Sequence, residues 1–170
     1  MKKTWIGIIL IMAVMALGGR AESQAGAPGW TQNYEQAKAR AKATGLPILA
    51  LFTGTDWCPP CKQFERGVAN RPEFLAYAKG KVVLLKLDYP RHMLQSPALL
   101  RQNEELAERI GGQEFPRFYL LDSGGEVLTK LDTQGRIKAN TLIGHYVRSI
   151  QEGLAELKKA EESQRSASQP

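Results

Sequence analysis

Cys58 and Cys61 stand two residues apart in the segment Trp57-Cys58-Pro59-Pro60-Cys61-Lys62, and they are the chain's two cysteines. A bridge between them would close a very small loop, and a cross-link constrains the unfolded chain less as its loop shrinks, so such a bond adds little to a fold. A close pair is better suited to making and breaking its disulfide: one sulfur attacks another disulfide as a thiolate, and the second resolves the mixed disulfide. Pro59 and Pro60 stiffen the intervening backbone, so the sulfurs start close together in both redox states and ring closure costs little entropy.

The flanking residues place this pair. Ile48-Leu49-Ala50-Leu51-Phe52 is an unbroken apolar run, as expected for a strand buried on both faces of a parallel sheet, and Thr53 to Trp57 then forms a turn. Prolines are tolerated in a helix's first turn, so a helix is predicted from Cys58 toward Val68. Cys58 thereby falls at a strand-to-helix junction, where free amides and the helix dipole stabilise an anion. It is the predicted attacking thiolate, with a pKa drawn from about 8.5 toward the range of roughly 3.5 to 7.5 found at such sites. Cys61, one turn on, is the predicted resolving thiol. Trp57 is positioned to shield the thiolate and touch substrates, and Lys62 to favour it electrostatically.

A zinc site is the competing use of two close cysteines, but structural zinc takes four ligands and the chain offers only His92 and His145 besides. His92 sits in a proline-rich loop and His145 on the last predicted helix, where surface or packing roles are expected. No metal and no cofactor is therefore predicted.

The remaining elements alternate. Thr31 to Thr44 predicts a helix stopped by Gly45, Pro72 to Lys79 a short helix, and Val82 to Leu87 a second apolar strand ending at Asp88. A long loop through Pro90 and Pro97 leads to a helix over Gln102 to Ile110, closed by Gly111-Gly112. Phe118 to Leu121 and Val127 to Leu131 flank Asp122-Ser123-Gly124-Gly125 as a hairpin, and a last amphipathic helix carries Leu142, Tyr146, Ile150, Leu154 and Leu157 on one face. The fold class is α/β: one mixed sheet covered by helices on both faces, with an additional helix at the N-terminus. The domain is expected to span residues 28–160, with residues 161–170 as a polar, disordered tail.

Lys2 and Lys3 precede an uncharged run from Trp5 to Leu17 and then small residues, the pattern of an export signal cleaved near Ala21 or Ala25. About 13 apolar residues are too few to cross a hydrocarbon layer that needs about 20, so no stable membrane insertion is expected. Loss of Lys2, Lys3, Arg20 and Glu22 lowers the formal charge from +6 to +4. The remaining Lys and Arg are scattered among acids rather than massed with aromatics, which argues against nucleic acid as a partner.

The Trp-Cys-x-Pro-Cys-Lys segment after an apolar strand, together with Phe115-Pro116 ahead of the hairpin, resembles the thioredoxin superfamily over roughly Trp30 to Leu157. Phe52-Thr53-Gly54-Thr55-Asp56-Trp57-Cys58, Pro72-Glu73-Phe74 and Leu121-Asp122-Ser123-Gly124-Gly125 are similar to an exported bacterial subgroup. The resemblance implies that Pro116 is cis and faces the cysteine pair, and that Phe115 offers backbone hydrogen bonds to a bound peptide. It also exposes a departure: thioredoxin carries a buried Asp six residues before its first cysteine, as base for the resolving thiol, and Phe52 stands there. Asp56, Glu65 or a water are the alternatives. Oxidising relatives carry a histidine between the cysteines, which this chain lacks, so a reductase or isomerase of protein disulfides is expected, supplied with electrons by a membrane thiol donor in the periplasm. The alternative is a binding or folding-helper module that keeps the fold without redox turnover.

Overall fold

A computed structural model describes residues 29–111, 114–133 and 141–167. The predicted signal segment, residues 1–25, lies outside the described residues. The order is β1 (Trp30–Thr31), α1 (Tyr34–Thr44), β2 (Ile48–Thr53), α2 (Pro59–Phe64) widening into a π-helical turn over Glu65–Ala69, α3 (Pro72–Ala78), β3 (Val83–Asp88), α4 (Pro97–Ile110), β4 (Arg117–Leu121), β5 (Val127–Lys130) and α5 (Leu142–Ala167).

The strands form one sheet in the order β1-β3-β2-β4-β5. β2 runs parallel to β3, with Leu51 beside Lys86 and Phe52 beside Leu87, and antiparallel to β4, with Phe52 beside Arg117. Two-residue alternation sorts the central strands into two cores. Leu49, Leu51 and Leu84 face a layer with Phe64, Val68, Phe74 and Tyr146, contributed by α2, its π turn, α3 and α5. Ile48, Ala50, Phe52, Val83, Leu85 and Leu87 face the other, with Tyr34, Ala37 and Ala41 of α1 and Leu106 of α4. Both faces of β2 and β3 are therefore buried, which is why these strands read as continuous apolar runs.

Three boundaries differ from the sequence reading. Thr31 belongs to a two-residue strand rather than to the first helix, because Asn33 caps α1 by accepting from the Gln36 amide and starts the helix at Tyr34. α4 begins at Pro97, not Gln102: Ser96 accepts from the Leu99 amide and Pro97 takes the first helical position. α5 continues past Glu162 to Ala167, where a disordered tail was expected. From Lys158 to Ala167 the residues are Lys, Ala, Glu, Ser, Gln and Arg with no Gly or Pro, so a stretch rich in helix formers carries an exposed helix onward.

Trp30 anchors the edge of the domain. Its ring stacks on Phe74 and meets Phe64 edge-on, and its Nε1 donates to the Ala69 carbonyl at 3.2 Å. No helix among the described residues is long and apolar enough to cross a membrane.

Candidate active site

Cys58 caps α2 in extended conformation, and the prolines fill the first turn where missing amides leave no helical bond unmade. Cys58 and Cys61 are joined in a disulfide with their Cα atoms 5.2 Å apart. The Cys61 amide points at Cys58 Sγ at 3.3 Å, so an N–H at the helix start is aimed at the sulfur predicted to carry negative charge. Cys58 retains slight exposure and Cys61 none. The less completely buried cysteine is thus the one at the helix end.

The turn before Cys58 is tied to β3. Asp88 at the end of β3 accepts from the Thr55 amide at 2.9 Å and the Thr55 hydroxyl at 2.6 Å, while its own carbonyl accepts from Asn103 and Gln95. Trp57 folds back over Gly54, and its Nε1 donates to the Tyr89 carbonyl at 2.7 Å. The Phe115 ring meets Trp57 edge-on at 5.4 Å. The Phe115-Pro116 peptide bond is cis. Because Arg117 pairs with Phe52 at the C-terminal end of β2, the chain reversal brings Phe115 and Pro116 to the end of the sheet from which the Cys58 turn departs.

Phe52 lies on the α1 and α4 side of the sheet, stacked on Tyr89 and edge-on to Tyr119, in an environment that would strand a carboxylate. Burial pushes the Tyr89 hydroxyl far up from its ordinary value, with the negative charge of Glu104 adding to the effect. Asp56, one candidate base, accepts instead from the amides of Arg91, His92 and Met93 in the loop after β3. Glu65, the other, pairs with Lys86, and both side chains are largely withdrawn from solvent. Lys86 follows Leu84 by two residues and so faces the α2 side, and Glu65 follows Cys61 by four residues and shares its helix face. A carboxylate largely withdrawn from solvent is therefore carried by the residue one helical turn after Cys61, at the point where α2 widens into its π turn. Sequence reading missed Lys86, and its signal was a lone charge within Leu84-Leu85-Lys86-Leu87, since a lysine buried in a central strand requires a partner.

The histidines take the roles expected of them. His92 is exposed in the loop clamped by Asp56, and His145 is buried in α5 with its Nε2 3.3 Å from the Thr133 carbonyl. Among the described residues no cluster of three His, Cys, Asp or Glu is arranged to hold a metal ion. Lys62 is partly exposed, its amide donating to the Cys58 carbonyl at 3.0 Å.

Residues 29–123 match a family model described as thioredoxin-like. The chain belongs to the thioredoxin-like family. Within it, the chain is 28% identical over 113 residues to the thioredoxin-related protein DsbJ of Chlamydia pneumoniae, covering 66% of this chain and 32% of that one. It is 26% identical over 100 residues to the disulfide bond reductase DsbH of the same organism, covering 59% and 60%. The chain thus spans less than two thirds of the length of either relative. A solved structure described as DsbH oxidoreductase shares the fold at a TM-score of 0.63, with 23% identity, over 81% of this chain and 94% of that one.

Proposed function

We propose that this thioredoxin-like chain is an exported enzyme that reduces or isomerises protein disulfides. The observation that carries the reading is the Cys58–Cys61 pair at a strand-to-helix junction, with the Cys61 amide directed at Cys58 Sγ. Cys58 thiolate attacks one sulfur of a substrate disulfide, forming a mixed disulfide and releasing the other substrate sulfur as a thiolate, which takes up a proton. Cys61 then gives its proton to Glu65 and attacks Cys58 Sγ. The Cys58–Cys61 disulfide forms, the second substrate thiol leaves, and two electrons have passed from the enzyme to the substrate. Trp57, Phe115 and Pro116 form the substrate-facing rim, and Pro59 and Pro60 hold the sulfurs close.

Similarity to a relative named disulfide bond reductase supports the reducing direction. No cationic side chain stands between the cysteines to hold the dithiol form, so the disulfide form is favoured and the reduced pair is a good electron donor. In the periplasm the spent disulfide is recharged by a membrane thiol donor. The N-terminal basic, apolar and small-residue pattern, cut near Ala21 or Ala25, supports export.

Reduction of insulin driven by dithiothreitol tests the activity, and no acceleration by folded protein with free thiols overturns it. Equilibration with a glutathione buffer tests the direction: the expected potential lies near about −270 mV, as in thioredoxin, and one near about −120 mV, as in strong oxidants, reverses it.

A further inference from the structure

The loop that follows β3 carries a feature the exchange chemistry leaves unused. Its Met93 side chain is 54% exposed and Leu94 is fully exposed, adjacent apolar residues on a segment that is firmly held. The Asp56 carboxylate accepts from the amides of Arg91 at 3.0 Å, His92 at 2.6 Å and Met93 at 3.0 Å. The Arg91 guanidinium lies 3.8 Å over the Trp57 ring, and Gln95 donates to the Asp88 carbonyl at 3.1 Å. A slack loop could fold two such side chains against the domain. This one is stapled on both sides of the pair and keeps them in water, so the ordering entropy that a binding surface must lose has already been lost.

The staple also fixes where the pair sits. Asp56 and Trp57 immediately precede Cys58, so the residues holding the loop belong to the turn that delivers the attacking sulfur. Trp57 lies between Arg91 on its face and Phe115 at its edge. A polypeptide crossing Cys58 is therefore bordered by Phe115-Pro116 and by the Arg91–Leu94 loop.

We propose that Met93 and Leu94 form a docking surface for an apolar side chain that lies a few residues from the target cysteine in an extended or locally unfolded polypeptide. The inference rests on the disulfide-exchange reading and adds selectivity to it. An unfolded chain is the occupant that fits, because it exposes apolar side chains next to its disulfides whereas a folded one hides them. Met93 is unbranched and polarizable and suits partners of varied shape.

The test uses two disulfide-containing peptides identical but for Leu or Ser two residues from a cysteine, together with bis(2-hydroxyethyl) disulfide. Second-order reduction rates are measured with the pre-reduced chain, both unaltered and as the double variant Met93→Ser/Leu94→Ser. The unaltered protein should favour the Leu peptide about tenfold, the effect of partly burying one leucine. The double variant should lose that preference and reduce the small disulfide at an unchanged rate. Equal rates on both peptides with the unaltered protein, a preference that survives in the variant, or a variant slowed alike on all three substrates overturns the proposal.

Binding of the same two sequences with cysteine replaced by serine, followed by tryptophan fluorescence, examines the surface without turnover. If the protein reduces no disulfide yet binds the Leu sequence through Met93 and Leu94, the catalytic reading fails and the docking surface stands. Loss of self-association or of vesicle binding in the double variant, with peptide binding unchanged, assigns the patch to another occupant and overturns the proposal.

Discussion

Replacing Gly54 by alanine is expected to displace the Trp57 indole and, through it, the active-site rim. A Cβ built on Gly54 lies 2.4 Å from Trp57 Cε2, 2.6 Å from Nε1 and 2.7 Å from Cζ2, where side-chain contacts do not normally fall below 3.0 Å. The ring must move by at least 0.6 Å, the difference between 3.0 and 2.4 Å, and overpacking of this kind costs about 1–3 kcal/mol. It cannot move freely, because Nε1 is bonded to the Tyr89 carbonyl at 2.7 Å and the ring is bracketed by Arg91 and Phe115. Losing that hydrogen bond adds about 1 kcal/mol. Gly54 is not in a left-handed conformation, so alanine also restricts the unfolded chain and returns about 0.4–1 kcal/mol. The net expectation is a loss of about 1–3.5 kcal/mol in urea denaturation of the oxidised protein. In a Trp57→Ala background the obstructing atoms are gone, and the same substitution should be neutral or slightly stabilising, giving a coupling of about 2–4 kcal/mol. An equal cost in both backgrounds refutes the argument, since the indole would then not be the obstacle.

Cys61→Ala should accumulate mixed disulfides with substrate on non-reducing gels while Cys58→Ala accumulates few, and the reverse pattern would exchange their roles. Glu65→Gln should slow resolution of a preformed mixed disulfide by at least about a hundredfold while leaving the initial attack by Cys58 nearly unchanged, as stopped-flow kinetics would separate. Crowding around Asp56 opposes its charged form, but the amides of His92, Arg91 and Met93 outweigh this and hold the carboxyl below its ordinary value of 3.8. A group depressed on folding stabilises the folded state fully above its unfolded value and loses that contribution as pH falls through the folded one. The NMR amide signals of residues 91–93 should therefore be unchanged from pH 6 down to about 4.5 and titrate below 3.8; a midpoint at or above 3.8 would contradict the clamp.

What the sequence showed most plainly was local. Ile48 to Phe52 and Val82 to Leu87 announce buried parallel strands because every side chain in them is withdrawn from water, and the cysteine spacing announces its own chemistry. Pro116 was legible through resemblance, since no local pattern marks a cis bond. Pairings across the sheet were not legible: Asp56 meets amides 35 to 37 residues away, and Lys86 meets Glu65 across the layer between β3 and α2. Such contacts depend on which face of which element each residue occupies, and that is settled only when the sheet order is. Asp56 was read as a candidate base because carboxylates near a thiol invite that role, whereas its neighbours use both of its oxygens for loop geometry. β1 was missed because two residues are too short to show a period.

The grip of Asp88 on Thr55 bears on how far the reactive motif can be moved. The six residues from Trp57 to Lys62 hold both sulfurs, yet their approach is set by a strand end 26 to 31 positions later, itself secured by Asn103 and Gln95. Grafted alone onto another strand-to-helix junction, the hexapeptide would keep its ability to close a disulfide and lose the fixed presentation of Cys58 to a macromolecular partner. The smallest portable module is β2, α2 with its π turn, β3 through Asp88 and the start of α4, so that transplanting this reactivity means transplanting a topology.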